Sequence, residues 1–170
     1  MIYRETPDYK KFIENIPDFP KEGIMYRDIQ PLLEDSFEFD YAIDQMGELV
    51  STVFTRPDYW VGIESRGFIF ASALAIKFGG GVKLIRKKGK LPNKELKSIT
   101  YDLEYGTDTI EMKPGEGSVV IVDDVFATGG TMFAAESLCK ASGYEVMDKL
   151  CLIDIGIRKN HDVKCLISYE

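Results

Sequence analysis

The sequence predicts an α/β fold with a central parallel sheet flanked by helices. Val119, Val120, Ile121 and Val122 form a β-branched apolar run, the mark of a strand buried on both faces of such a sheet. Short apolar strands alternate with helical patterns along the chain, which is how parallel βαβ units read. At 170 residues, 45% hydrophobic and 29% charged, the chain suits one domain with a sizeable core.

Pro7 to Ile16 places Tyr9, Phe12, Ile13 and Ile16 at helical spacing, with Thr6 available as a cap and Pro7 as first helical residue. IPDFPKEGIMYRDIQPLL follows, with proline stiffening and a glycine, and predicts an extended, shaped loop. Its apolar residues Phe19, Ile24, Met25, Tyr26 and Ile29 suggest a loop that covers something. Ser36 to Thr55 predicts a helix with Phe39, Ala42, Ile43, Met46, Leu49, Val50 and Val53 on one broad face. Tyr59 to Ile63 predicts a short strand and Phe68 to Phe78 a buried helix stopped by Gly79, Gly80 and Gly81. Val82 to Ile85, Val146 to Ile155 and Val163 to Ser168 predict further strands, and residues 132 to 142 a helix ended by Gly143.

The stretch VVIVDDVFATGGT, Val119 to Thr131, carries the chemistry. Asp123 and Asp124 follow where the apolar strand should end, the edge at which open α/β sheets bind ligands. Ala127, Thr128, Gly129, Gly130 and Thr131 are small enough for successive backbone N–H groups to turn around an anion, and a helix start at the same point suits a phosphate. The adjacent acids would repel phosphate, so they suit the vicinal hydroxyls of a ribose or a Mg²⁺ held near them. No Gly-Lys-Ser/Thr follows the turn and no GxGxxG occurs, which excludes a Walker A loop and the dinucleotide fingerprint.

A net charge of −7 argues against a general nucleic-acid or anionic-membrane surface. Lys83, Arg86, Lys87, Lys88, Lys90, Lys94 and Lys97 nevertheless cluster against Glu95 alone. The cluster begins at a predicted strand end, so its sign and place suit a loop closing on a pyrophosphate. Ile99 to Tyr105 and Thr109 to Met112 then alternate as the arms of a hairpin, with the turn at Gly106, Thr107 and Asp108. Cys139, Cys151 and Cys165 lack metal spacing and read as buried free thiols of a reducing, cytoplasmic compartment. The charged N-terminus has no apolar signal region. His161 reads as a surface residue in a polar turn, and Glu111 as a surface glutamate of the hairpin.

VVIVDDVFATGGT closely resembles the 5-phosphoribosyl-1-pyrophosphate (PRPP) signature of the type I phosphoribosyltransferases. IPDFPKEGIMYRDIQPLL, GIESRGF, IRKKGKLP and YDLEYGTDTIEM extend the resemblance, from about Ile16 to Met132, to the adenine phosphoribosyltransferases. It implies the type I phosphoribosyltransferase fold in a single domain, with an N-terminal hood of about residues 1–35 and a mobile hairpin lid of about residues 86–113. It implies transfer of the phosphoribosyl group from PRPP to adenine, giving AMP and pyrophosphate for purine salvage. Mg²⁺ would ride on PRPP with no firm protein ligand. A homodimer is implied, in which Arg86 or Lys87 reaches the neighbouring subunit's site, with neither nucleic acid nor membrane as partner.

The same resemblance implies roles residue by residue. Glu104 is the general acid at purine N7. The Met25 carbonyl and the Arg27 amide read the adenine edge, while Tyr26 stacks on the base. Asp123 and Asp124 hold the ribose, and Ala127 to Thr131 the 5′-phosphate. Arg66, Lys87, Lys90 and Tyr105 contact pyrophosphate, and Glu64 supports Arg66.

Overall fold

The computed structural model describes residues 7–50, 56–92, 95–103 and 106–169. It divides into two compact units, Met1–Ala42 and Ile43–Glu170.

In the first unit the expected N-terminal helix is only a 3-10 turn, Tyr9–Phe12. Asp8 Oδ1 accepts from the Lys10 amide and caps it, while Thr6 lies outside the described residues. Helical spacing loses here to pairing: the chain turns into β1 (Glu14–Ile16), which lies antiparallel on β2 (Tyr26–Asp28) in the register Asn15↔Arg27. The segment expected to be extended loop thus contributes a hairpin arm and a short helix, α1 (Gln30–Glu34), with Pro31 in its first turn. α2 runs Ser36–Leu49. Its N-terminal amides at Phe37 and Glu38 are capped by Asp35 Oδ1, at 3.0 and 3.1 Å.

The second unit holds the sheet. Its strands are β3 (Tyr59–Ile63), β4 (Gly81–Lys87), β5 (Lys97–Leu103), β6 (Gly106–Met112), β7 (Ser118–Phe126), β8 (Glu145–Asp154) and β9 (Lys164–Ser168). Their order is β5-β6-β4-β3-β7-β8-β9. The β4-β3-β7-β8-β9 part is parallel, and the hairpin joins its edge antiparallel, Arg86↔Glu111 and Lys87↔Ile110. Leu103 pairs with Gly106. Gly106, Thr107 and Asp108 therefore belong to β6 and not to the expected turn.

α3 (Gly67–Phe78) buries Phe70, Ala71 and Leu74, and α4 (Gly130–Ala141) buries Met132, Ala135, Leu138 and Cys139. Val61, Ile63, Val119, Ile121, Ile85 and Cys151 fill the sheet core. Each fully buried aliphatic side chain contributes about 1.5–3 kcal/mol. α3 starts tight against β3, since a Cβ on Gly62 would stand 2.9 Å from the Gly67 carbonyl and 3.0 Å from Phe68 Cα. Buried Lys149 on β8 ion-pairs with Glu136 of α4 and with Asp162, both at 2.8 Å, which fixes α4 across the sheet. The three cysteines are free, and burial pushes Cys139 up to about 12, so it is an inert thiol. Among the described residues no helix is long and apolar enough to cross a membrane.

Candidate active site

β7 does not end at Val122 as its apolar run suggests. β8 pairs with it to the end, Asp123↔Cys151, Val125↔Ile153 and Phe126↔Asp154, whereas β3 pairs only as far as Gly62↔Val122. The acids therefore lie on a strand whose other neighbour has stopped, and the N-terminus of α3 crosses the gap. A Cβ on Gly67 would come within 2.6 Å of the Val122 carbonyl and 3.1 Å of Asp123 Oδ1. Only glycine lets the helix pass this close to the acids.

Asp124 is 5% exposed. Its amide donates to Asp123 Oδ1 at 2.9 Å, and Arg66 Nε stands 2.8 Å from its Oδ2. That ion pair lacks hydrogen-bond alignment, so Asp124 Oδ2 keeps an unused acceptor site. Burial, then the charge of Asp124, pushes the Asp123 carboxyl well above the usual carboxylate range. Burial also raises Asp124, with Arg66 opposing it.

After Phe126 the chain turns through Ala127 and Thr128. Gly129 has φ +89°, a left-handed conformation, and a Cβ there would stand 2.5 Å from the Phe133 ring. α4 begins at Gly130, ahead of the expected Met132, so Gly130 and Thr131 form its first turn and their amides belong to the helix N-terminus. A cavity of about 70 Å³ is lined by Asp123 and by Val125 through Met132. A larger one of about 500 Å³ lies beside it and shares Asp123, Val125 and Thr131 in its wall. Glu64, Ser65, Arg66, Lys87, Tyr101, Asp108 and Asp124 complete the larger wall.

The structure thus brings together Asp123, Asp124, Arg66, Lys87 and the Ala127 to Thr131 turn. Lys87 Nζ lies 3.1 Å from Asp108 Oδ2, and this partner raises the lysine's pKa. Arg86 engages Glu64 at 3.4 Å and donates to the Lys90 carbonyl at 3.2 Å, so both Arg86 and Lys87 meet carboxylates of their own chain. Glu64 supports Arg86 and the Lys87 amide (2.8 Å), not Arg66 as expected. Burial alone would raise Glu64, but the Lys87 amide and Arg86 outweigh it and hold the carboxyl low.

The basic run is not a single loop. Lys83, Arg86 and Lys87 belong to β4, and Lys83 Nζ sits 4.6 Å from the Tyr59 ring centroid. Glu104 and Tyr105 lie outside the described residues. Met25, Tyr26 and Arg27 belong to the first unit: Met25 is 45% exposed, Tyr26 packs edge-on to Phe19 at 5.2 Å, and the Arg27 guanidinium donates to Asn15.

Two readings are corrected. His161 is half-buried, with Nε2 3.1 Å from Asp154 Oδ2 and its ring 4.3 Å from Phe126, because its turn folds back over the end of β7. Glu111 is 8% exposed and accepts from the Gly89 amide at 2.9 Å. Sequence reasoning also missed Tyr101 and Asp108 in the larger cavity. Strand alternation, which puts Tyr101 on the face of Ile99, was the available signal for the first. Nothing signalled Asp108 while it stood in the expected turn.

The phosphoribosyl transferase domain model matches residues 39–170. The chain is 53% identical over 167 residues to an adenine phosphoribosyltransferase of Hydrogenovibrio crunogenus, covering 94% of this chain and 95% of that protein. The crystal structure of adenine phosphoribosyltransferase from Thermoanaerobacter pseudethanolicus superposes with a TM-score of 0.86 at 37% identity, over 95% and 98% of the two chains. The Saccharomyces cerevisiae adenine phosphoribosyltransferase, in complex with an imino-altritol bisphosphate and adenine, superposes with a TM-score of 0.85 at 34% identity, over 94% and 96%. A phosphate-type helix start beside paired acids, with Arg66 and Lys87 in the same wall, on a chain this similar throughout, places the protein in the adenine phosphoribosyltransferase family.

Proposed function

We propose that the protein transfers the 5-phosphoribosyl group from PRPP to adenine, releasing AMP and pyrophosphate. The observation that carries this reading is that the two cavities lie side by side, with Asp123 and Thr131 in the walls of both. One end offers amides and a helix N-terminus to a 5′-phosphate, the other offers Arg66 and Lys87 to pyrophosphate, and acids stand between them for the ribose hydroxyls.

The residues act as follows. The Ala127 to Thr131 turn holds the 5′-phosphate and fixes the ribose so that C1′ faces the base. Asp123 and Asp124 accept from the ribose hydroxyls. Arg66, Lys87, Arg86, Lys90 and Tyr105 stabilise the departing pyrophosphate. Its several negative charges make this the largest electrostatic contribution. Adenine N9 attacks C1′ as the bond to pyrophosphate breaks, and the N9 proton is lost to the departing pyrophosphate or solvent. Glu104 donates a hydrogen bond at N7 that holds the reactive tautomer, for which its carboxyl must be desolvated above its free value of about 4.3. Tyr26 stacks on the base, while the Met25 carbonyl and Arg27 amide match the amine and N1 of adenine and mismatch a 6-oxopurine.

Mg²⁺ is the proposed cofactor, carried by PRPP. Adjacent Asp123 and Asp124 fit it, since Mg²⁺ commonly takes one or two carboxylates with substrate phosphates. When bound it supplies further charge neutralisation on the leaving group. A cytoplasmic homodimer is also proposed. Ile69 (40% exposed) and Ile76 (88%) on α3, with Val82 and Leu84 on β4, leave apolar surface open for a second copy.

The test is adenine plus PRPP and Mg²⁺ with AMP as readout, beside guanine, xanthine and orotate as competing bases. AMP formation from adenine alone supports the assignment. Turnover of another base in its place would redirect it, and salt-dependent nucleic-acid binding without turnover would indicate a PRPP-sensing regulator.

A further inference from the structure

We propose that Tyr101, a residue without an assigned role, positions the 5′-phosphate site by holding the hydroxyl of Thr131. The proposal rests on the reading of the β7–α4 turn as the 5′-phosphate site. The Tyr101 hydroxyl lies 3.3 Å from Thr131 Oγ1. This is longer than the 2.7–2.8 Å of a strong hydroxyl pair, so the contact has room to tighten when an anion draws on it. Both residues line the larger cavity, and Tyr101 is held in place by partial burial against the core.

The backbone geometry explains why this contact exists. β5 lies directly on the first turn of α4: a Cβ on Gly130 would meet the Asp102 carbonyl at 3.2 Å and Tyr101 Cδ2 at 3.8 Å. Gly130 therefore serves the approach of the hairpin as well as that of an anion. The hairpin arm brings Tyr101 in beside Thr131 at the helix N-terminus.

Each hydroxyl carries one hydrogen and can accept from the other. Burial raises the Tyr101 phenol, so it stays a neutral donor at physiological pH. When Tyr101 donates to Thr131 Oγ1, the hydrogen of Thr131 is free to point at a phosphate oxygen. A chain of this kind strengthens the terminal donor by polarisation. Without Tyr101, the Thr131 hydroxyl is free to rotate away and its alignment is lost.

Tyr101→Phe removes one oxygen and keeps the packed ring. The experiment measures binding of AMP and of adenosine, which lacks the phosphate, together with KM for PRPP. The expected result is a roughly three- to tenfold loss for AMP and PRPP, the size of one hydrogen bond, with adenosine binding and melting temperature unchanged. Thr131→Val should remove the dependence, so that Tyr101→Phe has no further effect in that background, whereas Thr131→Ser should retain it. Unchanged AMP binding in Tyr101→Phe, an equal loss for adenosine, or additive losses in the double variant would each overturn the proposal. A wild-type protein that turns over adenine and PRPP but shows no Tyr101 effect refutes this inference alone. A wild type that does not bind AMP refutes the functional reading and this inference with it.

Discussion

At the β7–α4 turn the groups that face an anion are chiefly backbone amides, with the Thr131 hydroxyl beside them, whereas at the β3–β4 end they are side chains already paired with carboxylates. The turn offers the amides of a helix start, shaped by Gly129 at φ +89° and fixed by the burial of α4. At the other end Arg66 stands on Asp124 at 2.8 Å, Lys87 on Asp108 at 3.1 Å and Arg86 on Glu64 at 3.4 Å. Fixed dipoles need no rearrangement and suit a phosphate that both substrate and product carry. Ion pairs exchange one anion for another, which suits a pyrophosphate that must leave. The contrast teaches that one cleft can hold two phosphate groups with different permanence by drawing one set of donors from the main chain and the other from side chains.

Residues proposed to act on the reacting groups should respond most strongly to mutation. Glu104→Gln keeps the shape of the side chain and removes the acid, so kcat should fall about 10²–10⁴-fold with PRPP binding little changed. Steady-state kinetics with adenine and PRPP check this, and near-wild-type turnover would remove Glu104 from the mechanism. Arg66→Ala comes next, because it removes a cation from the proposed pyrophosphate site and takes the ion-pair partner from buried Asp124. Loss of one member of such a pair costs about 2–5 kcal/mol, so kcat/KM for PRPP should fall on the order of 10²–10³-fold. A change confined to adenine kinetics would show that Arg66 serves another part of the cleft.

The same contrast decides what could be read from sequence. The backbone-built end was legible because strand, acids, small turn and helix follow one another within Val119 to Thr131, and local order fixes local geometry. Its limits shifted by one interaction each: β8 carries β7 past the acids, and α4 starts at Gly130. The side-chain end was legible only as composition. Which acid meets which cation depends on strand register across the sheet, and the pairing of β5 with β6 put Asp108 in a strand, where it meets Lys87. Glu64 went to Arg86 rather than Arg66 because Lys87 on the neighbouring strand places its amide against the carboxylate. Helical spacing at Tyr9 to Ile16 failed for a similar reason, as Glu14 to Ile16 found a strand partner in Tyr26 to Asp28 that lies well beyond a local window.

A smaller effect tests the exchange itself. Asp108→Asn releases Lys87 from its resting partner without touching the turn. An ion pair whose lysine is more than half exposed is worth at most about 1 kcal/mol, so affinity for pyrophosphate should rise by up to about fivefold. Isothermal titration at low and moderate salt reads it, with the gain shrinking as salt screens the pair. Weaker pyrophosphate binding would mean that Asp108 takes part in the bound state, and the exchange picture would have to be abandoned for Lys87.

The smallest effect concerns Asp123, which lines both cavities and so joins the two ends. Burial and the neighbouring Asp124 raise its carboxyl above the ordinary 3.8. A group that holds its proton more tightly when folded favours the folded state at low pH. That stability is fully present below about pH 3.8 and is lost as pH rises through the folded value. The ligand-free enzyme therefore carries, at neutral pH and above, the cost of a charge that binding of the ribose hydroxyls would offset. Asp123→Asn should melt above the wild type by roughly 2–4 °C at pH 8, the shift that about 1 kcal/mol produces in a domain of this size. The gap should narrow toward pH 4, where the wild-type carboxyl keeps its proton. Thermal melts of both proteins across that range measure the difference directly, and an offset independent of pH would show that Asp123 is tolerated as a charge between the two phosphate sites.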